Sequence, residues 1–589
     1  MRRQIFRVTV VALASLVLAA CGGGGGGHKT PPTASSVTIA SGNNQTAVAG
    51  SVLPTALSVS VKDSSGRVVL GVSVSWTVVA GGGSVTPATS TTDSGGLATT
   101  NWTLGATPGA NQVTATVAGI TPVTFDAVAV AGTTASVTVT SPTQSPYEGD
   151  TVQLTAIARD ALGNVLAGKT AAWTSSRPDI APVSPTGLLQ TWGTGPVDIT
   201  ASVDGVRGSV TLTLTPILAT VTVGATEVVF DWSVDRCEDL DVPDVPSRVI
   251  RAEDGSLVLF AGNGPRNYVS RGAGFDKFTR DCSQPALASA DLRTPDSYEN
   301  WEWIWSVYRE GSTWHAFVHN EFHDAVAATC RPGDPSPANL CWYNSITHAV
   351  STDGARSFTK PLAPAHVVAP PPNVWTPPPA VPSPGEYHYH GYQGPSNIVK
   401  SPKDGYYYAL ISLTPAAGEV SRTCLMRTHS LDDPANWRSW DGSGFNLRMT
   451  SPYVTGVPGP VCANLPTATG DHTLTYNAYL GRYILVNIGV SMVDGEKACG
   501  YYYTLSADLI HWSQERLLAK ARTADCPSTP QSGELETVAV GGPGLVDHDD
   551  TTVNFERSGR SPHLYYVRFN DGGLDRDLMR VQVTFTRTN

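Results

Sequence analysis

Three carboxylates stand where strands begin or end, among residues that a purely structural strand does not need. Asp244 opens a long apolar strand in Asp244-Val245-Pro246-Ser247. Glu321 lies in His319-Asn320-Glu321-Phe322-His323, the polar end of an otherwise apolar and aromatic strand. Asp471, beside His472, opens a third strand. Carboxyl groups sharing a cleft can divide hydrolytic work, one holding a proton for the leaving oxygen and another activating water or attacking directly. A close pair lets one carboxylate attack directly and a wider pair leaves room for a water between them, and the sequence does not set that distance. Each residue also has a structural reading. Asp244 can cap a turn beside Asp239 and Asp241, Glu321 can belong to a solvated rim, and Asp471 can complete a Gly-Asp turn.

Candidate binding residues accompany them. Trp303, between Trp301 and Trp305, and Tyr392, after Tyr387 and Tyr389, could stack on sugar faces, although buried strand aromatics are equally expected. His319, Asn320, Gln393 and Asn397 could hydrogen-bond hydroxyls, and Arg248 and Arg427, with Arg266, could hold an anionic group. His388 and His390 share one face of an extended run, a spacing a metal could use, but surface histidines have the same pattern and no metal site is assigned.

These residues must be held by strands. From about Ala219 a loose repeat recurs: an apolar strand, a Gly turn, an aromatic-rich strand, then a third strand. The five turns fall at Asp254-Gly255, Glu310-Gly311, Asp404-Gly405, Gly481, and in a longer insert between Asp547 and His563. Third strands are followed by acidic-capped turns over an aromatic: Ser351 to Phe358, Ser430 to Trp437, and Ser506 to Trp512. The first resembles the Asp-box of sialidases, with Ala355 where Gly is usual. The last resembles the outer turn of arabinanases and fructosidases. Together they imply a five-bladed β-propeller, its inner strands opening on a central funnel, closed by a strand near Thr222 to Phe230 against the last blade.

The resemblance to propeller glycoside hydrolases spans roughly Val228 to Thr586. In the arabinanase and xylosidase group an Asp-Pro pair opens the first inner strand and supplies the general base; Asp244-Val245-Pro246 offers the Asp with one residue inserted. The same group places its general acid in a Glu-Gly-Pro opening. Here that opening is Gln393-Gly394-Pro395, and an amide cannot donate a catalytic proton. Sialidases carry an Arg two residues before the Pro of their first strand, where this chain has Asp244, which would repel a sialate carboxylate. The resemblance implies glycoside hydrolysis of a poly- or oligosaccharide, with a non-catalytic glycan-binding or adhesion propeller as the alternative. It implies no cofactor, although a central calcium near His472 or Asp547 would suit some members.

Before the repeat the chain is Thr-, Val-, Ser- and Gly-rich, with strand-length alternation. Val74-Ser75-Trp76 through Trp102-Thr103-Leu104-Gly105 resembles bacterial immunoglobulin-like domains of the intimin and invasin type. Trp173-Thr174-Ser175-Ser176 and Ile199-Thr200-Ala201 resemble the other common bacterial immunoglobulin-like group. The expected fold is all-β: a signal over residues 1–20, a tether over 21–34, two sandwiches over 35–132 and 133–218, and the propeller over 219–589.

Arg2, Arg3 and Arg7 before an apolar run ending Leu18-Ala19-Ala20-Cys21 resemble a bacterial lipoprotein signal, with Cys21 lipidated and the chain held at the outer membrane. The other eight cysteines all lie between Cys237 and Cys526, and an even number in an exported chain implies disulfides. Pairing of sequence neighbours would join Cys237 with Cys282, Cys330 with Cys341, Cys424 with Cys462, and Cys499 with Cys526, one of several connectivities that eight cysteines allow. A net charge of −11 leaves no basic patch for phosphates and excludes nucleic acid. The expected partner is a glycan, met by a monomer.

Overall fold

The computed structural model describes residues 32–290, 292, 294–323, 342–376, 390–414, 421–467, 470–493, 496–523, 526, 532–570 and 573–588. Cys21 and the Cys330–Cys341 pair lie outside them, as do Tyr387, His388 and Tyr389. The architecture is two immunoglobulin-like sandwiches followed by a five-bladed β-propeller. By contact the chain divides into two compact units, one of 1–138, 156–171 and 202–208, the other of 139–155, 172–201 and 209–589.

In the first unit, alternation along Leu97–Leu104 and Val123–Val130 sends every second side chain inward. A four-stranded and a five-stranded sheet enclose Val59, Val74, Trp76, Trp102 and Phe125. In the second unit, Val152, Leu154, Ile199, Leu212 and Leu214 form a smaller core of the same kind. There Arg482 donates to the Glu148 carbonyl at 2.6 Å and to Asp150 at 2.8 Å, while Arg516 reaches the Glu148 carboxylate at 3.1 Å.

The blades open on Val242–Arg251, Trp301–Glu310, the pair His390–Gln393 and Val399–Lys400, His472–Asn477, and Val540–Val546. The third of these is broken because Pro395 cannot donate to the ladder and Gly394 takes φ +56°. Both of its halves pair with Tyr407–Thr414. The ring closes as expected. Ala219–Phe230 pairs antiparallel with Arg576–Arg587, from Ala219 opposite Arg587 to Phe230 opposite Leu578, and forms the outer edge of the fifth blade.

Asparagines clip neighbouring blades by satisfying backbone groups that the sheets leave open. Asn267 accepts from Ile304 N at 2.8 Å and donates to the Glu302 carbonyl at 2.7 Å. Asn397 accepts from Leu474 N at 2.6 Å, and Asn554 binds both backbone groups of Arg309. The acidic turns are structural. Asp353 accepts from Arg356 N and Ser357 N while Phe358 buries beneath it, and Ala355 accepts the left-handed conformation at φ +61°.

Among the described residues three disulfides form: Cys237–Cys282, Cys424–Cys462 and Cys499–Cys526. Cys424 and Cys462 are fully buried in the core of the third blade and close a loop of 38 residues in sequence separation. Replacing both by Ser should destabilise the fold by about 4 kcal/mol, from the freed loop and two unpartnered hydroxyls. Guanidinium unfolding under non-reducing conditions reads that loss, and an unchanged midpoint would refute it.

Candidate functional site

The second blade supplies one wall of the site. In the hairpin Trp301–Glu310 and Thr313–His323, Trp301 stands opposite Glu321 and Trp303 opposite His319, so these four side chains share a face. A register shift between Ile304 and Ser306 marks a bulge at Trp305. His319 is fully buried, with its ring 5.3 Å from Trp303 and 4.9 Å from Trp305. Burial lowers its pKa to about 3, so the imidazole is neutral. Val245 of the first blade packs on both indoles, which sets the strand bearing Asp244 against this wall.

Glu321 is 3% exposed. Its Oε2 lies 2.9 Å from His323 Nε2 and its Oε1 3.4 Å from His319 Nε2. Burial drives its pKa up; the bond to His323 opposes this, and the charge of Asp244 adds to the rise. Above it, Trp301 remains 37% exposed and stacks on His323 at 5.4 Å.

The fourth blade supplies Asp471, which keeps a solvent-accessible edge in protein-dense surroundings. Burial pushes its pKa up to about 7, the charge of Asp244 reinforces that, and Arg248 opposes it. Gly394 borders it: a Cβ there would lie 3.1 Å from the Gly470 carbonyl and 3.6 Å from Asp471 Oδ1. Asp244 itself is partly exposed and paired with Arg576 of the fifth blade at 2.5 Å. Arg576 in turn lies 4.7 Å over the Phe569 ring. Three carboxylates from three blades are thus electrostatically linked, with Asp244 as the neighbour common to the other two.

Beneath them the axis is closed by Arg248. Its guanidinium is buried and donates to the His472 carbonyl at 3.3 Å and the Ser247 carbonyl at 3.1 Å. Burial lowers its pKa to about 9. His472 is neutral, with a pKa of about 4 for the same reason. A cavity of about 10 Å³ beside Arg248, Asn397 and Thr473 has room for roughly one water.

Several expected binding residues are placed elsewhere. Asn320 points to the opposite face from Glu321, where it accepts from Asn300 N and donates to Ser345. Tyr392 is fully buried in the core of the third blade, among Ile346, Ile411 and Leu413. Asn397 is an inter-blade clip. Arg248 and Gln393 stay near Asp471: Arg248 is buried against the His472 carbonyl, and Gln393, next to the Gly394 that borders Asp471, donates to Thr414 at 3.1 Å. Arg427 lies on the third strand of its blade, between Tyr406 and Phe445. Trp303 and His319 do line the wall, and Arg576 was missed because nothing in its own sequence links it to Asp244. Among the described residues no group of three or more His, Cys, Asp or Glu side chains is arranged to hold a metal ion.

No protein-family model matches the sequence, and no curated protein matches it. Among solved structures, the chain is similar to a putative exo-β-1,3-galactanase from Bifidobacterium bifidum, at 12% identity and TM-score 0.35, over 62% of this chain and 97% of that one. It is similar to an α-L-arabinanase from Cellvibrio cellulosa at 11% identity and TM-score 0.31, over 58% and 91%. The Escherichia coli adhesin FdeC matches at 15% identity and TM-score 0.25, over 50% and 94%.

Proposed function

We propose that the propeller hydrolyses glycosidic bonds of a poly- or oligosaccharide bound at its funnel, with Asp244, Glu321 and Asp471 as the working carboxylates. The observation that carries this reading is that burial and the shared neighbour Asp244 raise the pKa values of Asp471 and Glu321 together. Asp471, with a pKa of about 7, is the proton donor to the leaving oxygen. Asp244, ion-paired with Arg576, is the base or nucleophile. Glu321 tunes the charge of the site and holds His323 beneath the exposed Trp301, a platform for a sugar face. Trp301→Ala should raise KM about tenfold with little change in kcat, as expected for lost ground-state stacking; a fall in kcat alone would remove Trp301 from binding.

A second reading, a propeller that binds glycan without cleaving it, is favoured by Gln393, an amide where the resembling hydrolases carry an acid. Affinity electrophoresis of wild type and Asp244→Asn on a glycan panel separates the two. Hydrolysis predicts that the variant is retained by a glycan the wild type degrades. Retention of both proteins with no degradation favours the binding module. We also propose that Cys21 is lipidated, that the two sandwiches are spacers bounded near 132 and 218, and that the propeller works as a monomer at the outer membrane. Among the described residues no helix is long and apolar enough to cross a membrane.

A further inference from the structure

Away from the funnel, on the outer strands of the third blade, Arg427 and Arg438 stand directly opposite each other in the antiparallel pair Arg422–Thr428 and Arg438–Ser439. Like charges opposed across strands repel, so this placement calls for an anion. Among the described residues Arg427 has one ion-pair neighbour, Asp404 at 3.9 Å, beyond hydrogen-bond reach. Both guanidinium groups are fixed in advance. Arg427 lies between Tyr406 at 4.0 Å and Phe445 at 4.1 Å and donates through Nη1 to Tyr408 Oη at 3.2 Å. Arg438 is held through Nη1 by the carbonyls of Ala435 at 2.7 Å and Trp437 at 2.9 Å. They border a cavity of about 400 Å³ that also has His429, Asn436, Thr428 and Ser430 in its lining and, among the described residues, no acidic side chain. In a chain of net charge −11 this is a local reversal of sign.

We propose that this groove is an accessory site for an acidic saccharide, whose oxyanion is held between Arg427 and Arg438. Planar guanidinium groups fixed by stacking and backbone bonds are suited to carboxylate or sulfate, and they lose little entropy on binding. Asn436, Thr428 and Ser430 supply hydrogen bonds for ring hydroxyls. The inference extends the glycan-directed reading above and stands apart from catalysis.

The test is calorimetric titration of the full chain with an oligogalacturonate, a sulfated oligosaccharide and a neutral galactan fragment, on wild type, Arg438→Gln and Arg427→Met. Thermal melting of each variant is run alongside, because Arg427 also supports a ring stack and its removal could unfold the blade. Acidic probes should bind, with affinity lowered tenfold or more by Arg438→Gln and by raised salt, while Glu321→Gln leaves it unchanged. Binding by the uronate probe alone assigns a carboxylate, and by the sulfated probe alone a sulfate ester. A neutral-fragment affinity lowered by Arg438→Gln as much as that of the acidic probes, or undiminished binding of acidic probes in a folded Arg438→Gln, overturns the proposal. Loss of hydrolysis in Glu321→Gln with acidic binding intact separates this site from the funnel.

Discussion

Asp471→Asn should lower kcat/KM about a thousandfold or more while making the propeller more stable above neutrality. Removing a positioned general acid costs about two to four powers of ten. In the wild type, activity should fall as pH rises through about 7, where Asp471 loses the proton it donates. The stability effect follows from the same shift. The folded pKa lies above the unfolded value of 3.8, so the stabilisation is complete below about pH 3.8 and is lost as pH rises to about 7. At pH 8 the buried charge opposes folding, and Asn removes it. The Tm of Asp471→Asn should therefore exceed that of wild type at pH 8 and match it near pH 3.5. A Tm difference independent of pH would show that Asp471 is not held protonated, and unchanged kcat/KM would deny it the proton.

The second large effect concerns closure. A chain beginning at Asp231 should not yield a cooperatively folded propeller, whereas one beginning at Ile217 should. Without Ala219–Phe230, the backbone of Arg576–Arg587 becomes an unpaired edge, and Phe230 leaves a core shared with Val249, Leu259, Tyr565 and Leu578. The ion pair of Glu227 with Arg580, at 2.7 Å, is lost as well. Because that edge belongs to the same blade as Arg576, opening it also loosens the partner of Asp244. Within the intact chain, Phe230→Ala alone should cost about 3 to 5 kcal/mol. Circular dichroism and denaturant unfolding of the two fragments decide it; a soluble, cooperative Asp231 fragment would mean the ring does not depend on its closing strand.

The first four blades were legible because their hairpins are local, an apolar run, a Gly turn and an aromatic run within about twenty-five residues, while the fifth, with its insert between Val546 and His563, was read from the rhythm of the others. The closing strand could be anticipated because a ring must pair its ends. The carboxylates were legible for a related reason. A polar residue near the end of an apolar strand is conspicuous, as with Glu321, and a carboxylate opening a strand is noticeable, as with Asp471. Orientation was harder. Asn320 differs from Glu321 by one position and therefore by one face, and sequence alone does not say which face meets the funnel. Tyr392 and Arg248 have the chemistry of binding residues, but long-range packing assigns one to a core and the other to the axis. Arg576 could not be read, since its partner lies more than 300 residues away and they meet only once the ring has closed.

Cleavage of glycosidic bonds by the funnel carboxylates is read most directly as release of reducing ends from a panel of plant, fungal and bacterial-envelope glycans. The full chain should release them from at least one glycan, with Asp244→Asn, Glu321→Gln and Asp471→Asn each reduced a hundredfold or more while remaining folded. Release undiminished in all three variants, or no release from any glycan by a folded wild type, would contradict it.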